Sequence, residues 1–94
     1  MHYSPGIPVE MNKESPKKNQ AFIVFGKKFK NRKNYFYLSK KGDLKEAANN
    51  LYKTMRKIRK RKFKSIAVAK IPNIKIGYAI NDRLRKASNK WIKQ

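Results

Sequence analysis

Residues 64–88 decide the fold, and they read KSIAVAKIPNIKIGYAINDRLRKAS. Positions 65–71 are rich in apolar and β-branched residues and are followed by Pro72 and Asn73, which predicts a buried strand. A helix should follow, because apolar residues recur at intervals of four, four and three, at Ile76, Ile80, Leu84 and Ala87. Strand, glycine-containing turn and helix form the half-unit of open α/β sheets, which usually bind ligands at the carboxyl ends of their strands.

Two more strands and a second helix are predicted ahead of this unit. Residues 21–25 are apolar throughout, and residues 35–38 alternate large side chains, so both segments favour strands. Asp43 is a good N-cap, and Glu46 three residues later completes a capping-box pattern. The helix that begins there should bury a stripe at helical spacing, made of Leu44, Ala47, Ala48, Leu51, Tyr52, Met55 and Ile58.

The order of these elements predicts an α/β fold. The strand at 35–38, the helix and the strand at 65–71 form a parallel β-α-β unit, and the C-terminal helix should cover the sheet. Trp91 continues the apolar spacing of that helix and is expected to cap the edge of the core. The predicted architecture is a small Rossmann-like open sheet, with the order of its strands left undetermined.

The first twenty residues differ in character from the rest. Pro5, Pro8 and Pro16 disfavour a helix or a central strand there. We therefore expect residues 1–20 to form a linker or extended arm and residues 21–94 to form one domain.

Composition excludes several kinds of site. The 94 residues include no cysteine and a single histidine, His2, so neither a disulfide framework nor a cysteine or histidine metal site is expected. No run approaches the about 18 apolar residues that span a membrane, and the N-terminus lacks a secretory signal. A cytoplasmic protein with no membrane partner and no cofactor of its own is the expectation.

The net charge of +21 admits two interpretations. Lysine and arginine bind RNA phosphates by releasing counterions. Lysine enrichment beside many asparagines and isoleucines is also typical of an AT-rich genome. The strongest candidate for a phosphate or RNA patch is the end of the first predicted helix, with Arg56, Lys57, Arg59, Lys60 and Arg61. A solvated helix end is an equally good interpretation.

A second basic segment surrounds Phe29 in residues 27–34. Such a loop binds single-stranded RNA when its aromatic ring is free to stack. We favour the simpler interpretation, in which the loop is solvated and the ring packs into the core. Asp82 lies four residues before Lys86 and should form a surface pair with it.

The carboxylates do not suggest catalysis. Of the five, Glu10 and Glu14 lie in the arm, and the others serve a helix start or a surface pair, so no acid and base pair is evident. Gly77 is the only glycine in a turn where a dinucleotide fingerprint needs three. We therefore predict no catalytic residues and an inactive isolated chain.

Three segments carry a resemblance to a known family. The first holds Pro72, Gly77, Ala79, Ile80, Asn81, Arg83, Leu84 and Ala87. The second holds Leu38, Ser39, Gly42, Asp43, Leu44, Ala47, Ala48, Asn50, Leu51, Tyr52 and Arg56. The third is His2, Tyr3, Ser4 and Pro5. In their order along the chain, the three segments resemble the C-terminal domain of two-domain threonylcarbamoyl-AMP synthases, together with the end of the linker between the two domains.

The resemblance implies a role in modifying tRNA. The full enzyme of this family uses ATP, with magnesium, to join threonine and bicarbonate into threonylcarbamoyl-AMP. The linker segment, from His2 to Pro5, would lie over the active site of a catalytic domain, which has no counterpart in this chain. Gly77, Asn81 and Arg83 form the family's turn and helix motif, in which a second glycine is common at the position of Lys75.

Two functions are the resulting hypotheses. The first is an accessory, regulatory domain whose partner is a threonylcarbamoyl-AMP synthase catalytic domain, with tRNA as a further candidate partner. The alternative is a free-standing basic module that binds RNA or the ribosome through Arg56–Lys62 and the loop around Phe29.

Overall fold

A computed structural model describes residues 7–87. Its elements are β1 (Val9–Glu10), β2 (Gln20–Phe25), β3 (Tyr35–Ser39), α1 (Leu44–Lys60), β4 (Ser65–Val68) and α2 (Ile76–Ala87). The four strands form one sheet in the order β1-β4-β2-β3, and every neighbouring pair is parallel. The predicted α/β class, with its parallel β-α-β unit and covering C-terminal helix, is confirmed.

The two faces of the sheet are covered differently. One, the helix face, presents Ala21, Ile23, Leu38, Ile66 and Val68 to α1 and α2. On the other, the loop face, Phe29 of the loop packs on the sheet beside Tyr35 and Tyr37 of β3, and the buried residues there are Phe22, Val24, Ala67 and Ala69. From β2 to β3 the chain moves toward one edge of the sheet, and from β3 to β4 it moves back toward the other edge. Two crossovers of the same handedness must then lie on opposite faces of the sheet, as residues 26–34 and α1 do.

The start of α1 is fixed by a relay of hydrogen bonds. Asp43 caps the helix as predicted, with its carboxylate accepting from the backbone N–H of Lys45 at 3.2 Å. Glu46 does not complete a capping box. It accepts from the Ser39 hydroxyl at 2.5 Å, and that hydroxyl accepts from the Asp43 N–H at 3.0 Å. The end of β3 is thereby joined to the first turn of α1.

The loop face is closed without a helix. Only residues 26–34 connect β2 to β3, where a parallel crossover usually holds a dozen or more residues. Phe29 packs edge-on against the buried ring of Phe22, with centroids 5.5 Å apart. The Tyr37 hydroxyl donates to the Phe29 or Lys30 carbonyl and fixes the loop. The interpretation that the Phe29 ring packs into the core is confirmed.

Several local predictions need correction. Tyr52, predicted in the core, is 70% exposed, and Ile76 is 42% exposed. In their place α1 buries Thr54, and α2 buries Gly77 and Asn81. The two helices therefore meet along a narrower seam than apolar spacing alone indicates. The predicted strand at 65–71 pairs only as far as Val68, although Ala69 and Ile71 remain buried.

The edge strand β1 is absent from the sequence-based prediction. It lies within the expected arm, where Val9 and Glu10 pair with Ile66 and Ala67 of β4. Its position at the edge of the sheet is compatible with the neighbouring prolines. Trp91 lies outside the described residues.

Candidate functional site

Two of the motif residues, Gly77 and Asn81, lie in the first two turns of α2, and both are structural. A Cβ at Gly77 would overlap the carbonyl oxygen of Pro72 and lie 3.1 Å from its carbonyl carbon. Asn81 is buried, and its amide donates to the Ile71 carbonyl at 3.0 Å and to the Asn73 side chain at 3.3 Å. The two residues hold the first turns of α2 against the chain that leaves β4.

Lys75 adopts a conformation suited to glycine. Its φ is +47°, in the left-handed region where an L side chain is strained. The family that the sequence resembles commonly has a glycine at this position. Backbone geometry alone accounts for such a glycine, and no phosphate contact is needed to explain it.

The third motif residue, Arg83, faces a groove between the two helices. The groove has two adjoining parts, of about 360 and 340 Å³, which share Leu51, Tyr52 and Arg83. Apolar side chains line most of it, namely Ala48, Leu51, Tyr52, Met55, Ile76, Ala79, Ile80, Leu84 and Ala87. We call this feature the α1–α2 groove.

Cations surround the α1–α2 groove. Arg59, Arg83 and Lys86 line it, with one acid, Asp82. Asp82 is already paired with Lys86 at 3.1 Å, as the sequence predicted. The Arg56 guanidinium lies over the Tyr52 ring at 5.4 Å and extends the positive rim beyond the groove. Sequence reasoning missed this site because it assigned Tyr52 to the core.

The predicted basic patch divides into two parts. Arg56, Lys57, Arg59 and Lys60 are exposed on α1, and none of them pairs with a carboxylate within residues 7–87. Arg61, the C-cap, is held in place by the protein. Its guanidinium lies 5.6 Å from the Phe36 ring and 5.4 Å from the Phe63 ring, and it donates to the Lys33 carbonyl at 3.1 Å. Four side chains of the patch are thus available to an anionic partner.

The predicted linker residues His2, Tyr3, Ser4 and Pro5 lie outside the described residues. The chain from Ile7 onward is anchored to the domain. Ile7 packs against the core of the helix face, and the Pro8 carbonyl accepts from the Ile66 N–H at 2.9 Å. Any segment ahead of Ile7 therefore begins at the β1 edge of the sheet.

Two negative findings apply to residues 7–87. The structure brings no group of three or more His, Cys, Asp or Glu side chains together in a way that could hold a metal ion. No helix in this range is long and apolar enough to cross a membrane.

Known proteins resemble this chain in both sequence and structure. A family model described as threonylcarbamoyl-AMP synthase, C-terminal domain, matches residues 1–89. The crystal structure of P. abyssi Sua5 complexed with L-threonine is similar over 93% of this chain, with 25% identity and a TM-score of 0.65. This chain spans 29% of the length of that protein. No curated protein matches the chain.

Proposed function

The chain belongs to the threonylcarbamoyl-AMP synthase C-terminal domain family, and from that premise we propose that it docks on the catalytic domain of this enzyme and regulates it. A C-terminal domain of this family belongs with a catalytic domain in the full enzyme, whose product serves tRNA modification. In this proposal ATP, magnesium and threonine bind to the catalytic domain. This chain positions the arm over the active site of the catalytic domain and supplies no catalytic residue.

The α1–α2 groove is the observation that supports docking. An aromatic side chain 70% exposed beside an apolar groove is unfavourable in a free domain, and such sites commonly mark interfaces. Because Arg56, Arg59 and Arg83 surround the groove, the surface that covers it should be acidic around an apolar centre. We assign the catalytic domain as that partner.

Regulation would come from the arm. In this proposal His2 to Pro5 lies over the nucleotide site of the catalytic domain and lowers the access of water there. The described part of residues 1–20 supports a mechanical role for the domain, because β1 and the Pro8 carbonyl attach the arm to the sheet edge. The domain would hold the arm at a fixed distance from the docking groove.

A matched pair of tyrosines tests the docking. Tyr52 and Tyr78 are both well exposed, at 70% and 60%, but only Tyr52 lines the α1–α2 groove. Tyr52→Ala should raise the Kd for the catalytic domain at least about tenfold, which corresponds to about 1.4 kcal/mol. Tyr78→Ala should change it less than about twofold. Titration calorimetry measures both values.

Other results would assign the groove differently. Equal Kd values for the two variants would remove the groove from the interface. A Tyr52→Ala chain that binds normally but unfolds more easily would assign the Tyr52 ring to the stability of this chain. Either result contradicts docking through this surface.

The basic patch favours a second candidate, contact with tRNA. Arg56, Lys57, Arg59 and Lys60 form an exposed row at the C-terminal end of α1. If they bind phosphates, changing all four to Gln should flatten the logarithmic salt dependence of tRNA binding by about two or more units. An unchanged slope would assign these side chains to solvent.

A further inference from the structure

The sheet has a topological switch point between β2 and β4. The chain leaves β2 through residues 26–34 on the loop face, whereas it leaves the adjacent β4 toward α2 on the helix face. Divergence of the chain at the carboxyl ends of two neighbouring parallel strands leaves a crevice there, and open α/β sheets bind their ligands in such a crevice.

A concavity of about 780 Å³ lies at this crevice. Three segments that each follow a strand line it: residues 12–14 after β1, Lys28 and Phe29 after β2, and Lys70 after β4. Three of its six side chains are exposed lysines, Lys13, Lys28 and Lys70, against one carboxylate, Glu14. Like charges that converge in a concave site focus a positive potential on its centre.

The backbone that presents these lysines is fixed. The Lys13 N–H donates to the Val68 carbonyl at 2.8 Å, which places Lys13 beside the end of β4. The Ala69 N–H donates to the Ile23 carbonyl at 2.8 Å and places Lys70 beside the end of β2. Lys28 lies in the loop that the Tyr37 hydroxyl holds, with its ammonium 5.4 Å from the Phe29 ring. Because the backbone at these lysines is already ordered, binding a ligand there should cost little backbone conformational entropy.

We infer that this concavity binds the phosphate groups of a small polyphosphate ligand through Lys13, Lys28 and Lys70. Three ammonium groups match two or more linked phosphates, and each contact is a charge-assisted hydrogen bond. The site is separate from the α1–α2 groove, which shares none of its residues. The inference does not rest on the proposed docking function.

Titration calorimetry of the whole chain with sodium pyrophosphate, ATP and AMP tests the site. The variant Lys13→Gln, Lys28→Gln, Lys70→Gln should weaken pyrophosphate and ATP binding at least about tenfold. A control with Lys18, Lys53 and Lys64 changed to Gln removes the same charge from exposed positions outside the concavity and the basic patch, and it should weaken binding less than about threefold. Glu14→Gln should strengthen binding about twofold, because Glu14 is the carboxylate that residues 7–87 place at the concavity.

Comparison of pyrophosphate, ATP and AMP shows whether the concavity recognises phosphates alone or a nucleoside as well. Equal affinities for ATP and pyrophosphate would mean that phosphates alone are recognised, and a preference for ATP would add a nucleoside contact. AMP should bind weakest, because it carries one phosphate. If the control loses as much affinity as the lysine variant, the binding is general attraction to a basic protein, and the inference is wrong.

Changes in the amide chemical shifts of the unmodified chain during a pyrophosphate titration give a second measurement, which needs no variant. Pyrophosphate should shift the amide NMR signals of residues 12–14, 28, 29 and 70 before those of α1. Shifts centred on α1 would overturn the assignment, and so would the absence of any saturable shift.

Discussion

The two faces of the sheet are covered by different structures, one by helices and the other by a loop. On the helix face, α1 and α2 bury a core of eleven residues, from Ala21 to Leu84. On the loop face, four buried residues pack against Phe29 of the loop and against Tyr35 and Tyr37 of β3. Parallel sheets normally bury both faces under helices. Here the second cover is a short loop, whose Phe29 ring packs on the sheet and whose backbone accepts hydrogen bonds from the Tyr37 hydroxyl and the Arg61 guanidinium.

The helices on one face cover most of the buried core and leave the α1–α2 groove at their seam. On the other face, short loops bring lysines from three segments to one concavity. If this division is right, substitutions on the helix face should change stability more than matched substitutions on the loop face.

The largest effect is expected at Gly77, where α2 meets the helix face. Gly77→Ala places a methyl group against the Pro72 carbonyl, and because that group is backbone, the helix must shift. We expect a loss of about 3 kcal/mol or more in the free energy of unfolding. Gly26→Ala on the loop face meets no atom within 4 Å and should cost only the strain of its φ of +98°, about 1 kcal/mol. Urea unfolding compares the two variants.

Two valines compare the faces directly. Val68 lies on the helix face and Val24 on the loop face, and both are completely buried. Val68→Ala should cost about 2 kcal/mol, because packed helices leave a cavity open. Val24→Ala should cost about 1 kcal/mol, because a loop closes more readily over the lost volume. Equal losses would show that the loop packs as rigidly as the helices.

A gain in stability is expected at Lys75. Glycine there would relieve the strain of a φ of +47° at the start of α2 and raise the free energy of unfolding by about 1 kcal/mol. Lys70→Gly is the control, because φ at Lys70 is not positive, and it should not stabilise the chain. Lower stability of Lys75→Gly would mean that the lysine side chain makes a compensating contact.

The smallest effect concerns the edge strand that carries the arm. Hydrogen bonding from Gln20 and from Lys17 holds the pKa of Glu10 below its ordinary value of 4.5. The ionised carboxylate therefore stabilises the fold above about pH 4.5, and that contribution is lost as the pH falls through the folded-state pKa. The unfolding curves of Glu10→Gln and the unmodified chain should differ at pH 6 and approach each other as the pH falls below 4.5. A constant difference across this range would exclude the carboxylate as its source.

Much of the helix face could be predicted from the sequence, and little of the loop face could. The Asp43 cap, the start of α2 and the strands at 21–25 and 35–38 follow from local patterns that the structure preserves. Tyr52 was misplaced because apolar spacing marks a helix face and does not show how much of it a second helix covers. The family resemblance, confirmed over residues 1–89, supplied the rest of the functional expectation.

The loop face depends on the order of the strands, which local patterns do not determine. β1 has two residues beside prolines and gives no periodic signal. Without β1 next to β4, nothing places residue 13 near residue 70. The concavity of three lysines becomes visible only when the sheet is assembled.

We expect this chain to act on threonylcarbamoyl-AMP synthesis through a catalytic domain and not alone. The deciding assay is product formation from ATP, threonine and bicarbonate with the chain alone, with a catalytic domain that lacks its own linker, and with both. No product should form with the chain alone, and the pair should be faster than the catalytic domain. Deletion of residues 2–5 should remove that gain while β1 and the Pro8 contact remain. Product from the chain alone, or a pair no faster than the catalytic domain, would show that the proposed regulatory role is wrong.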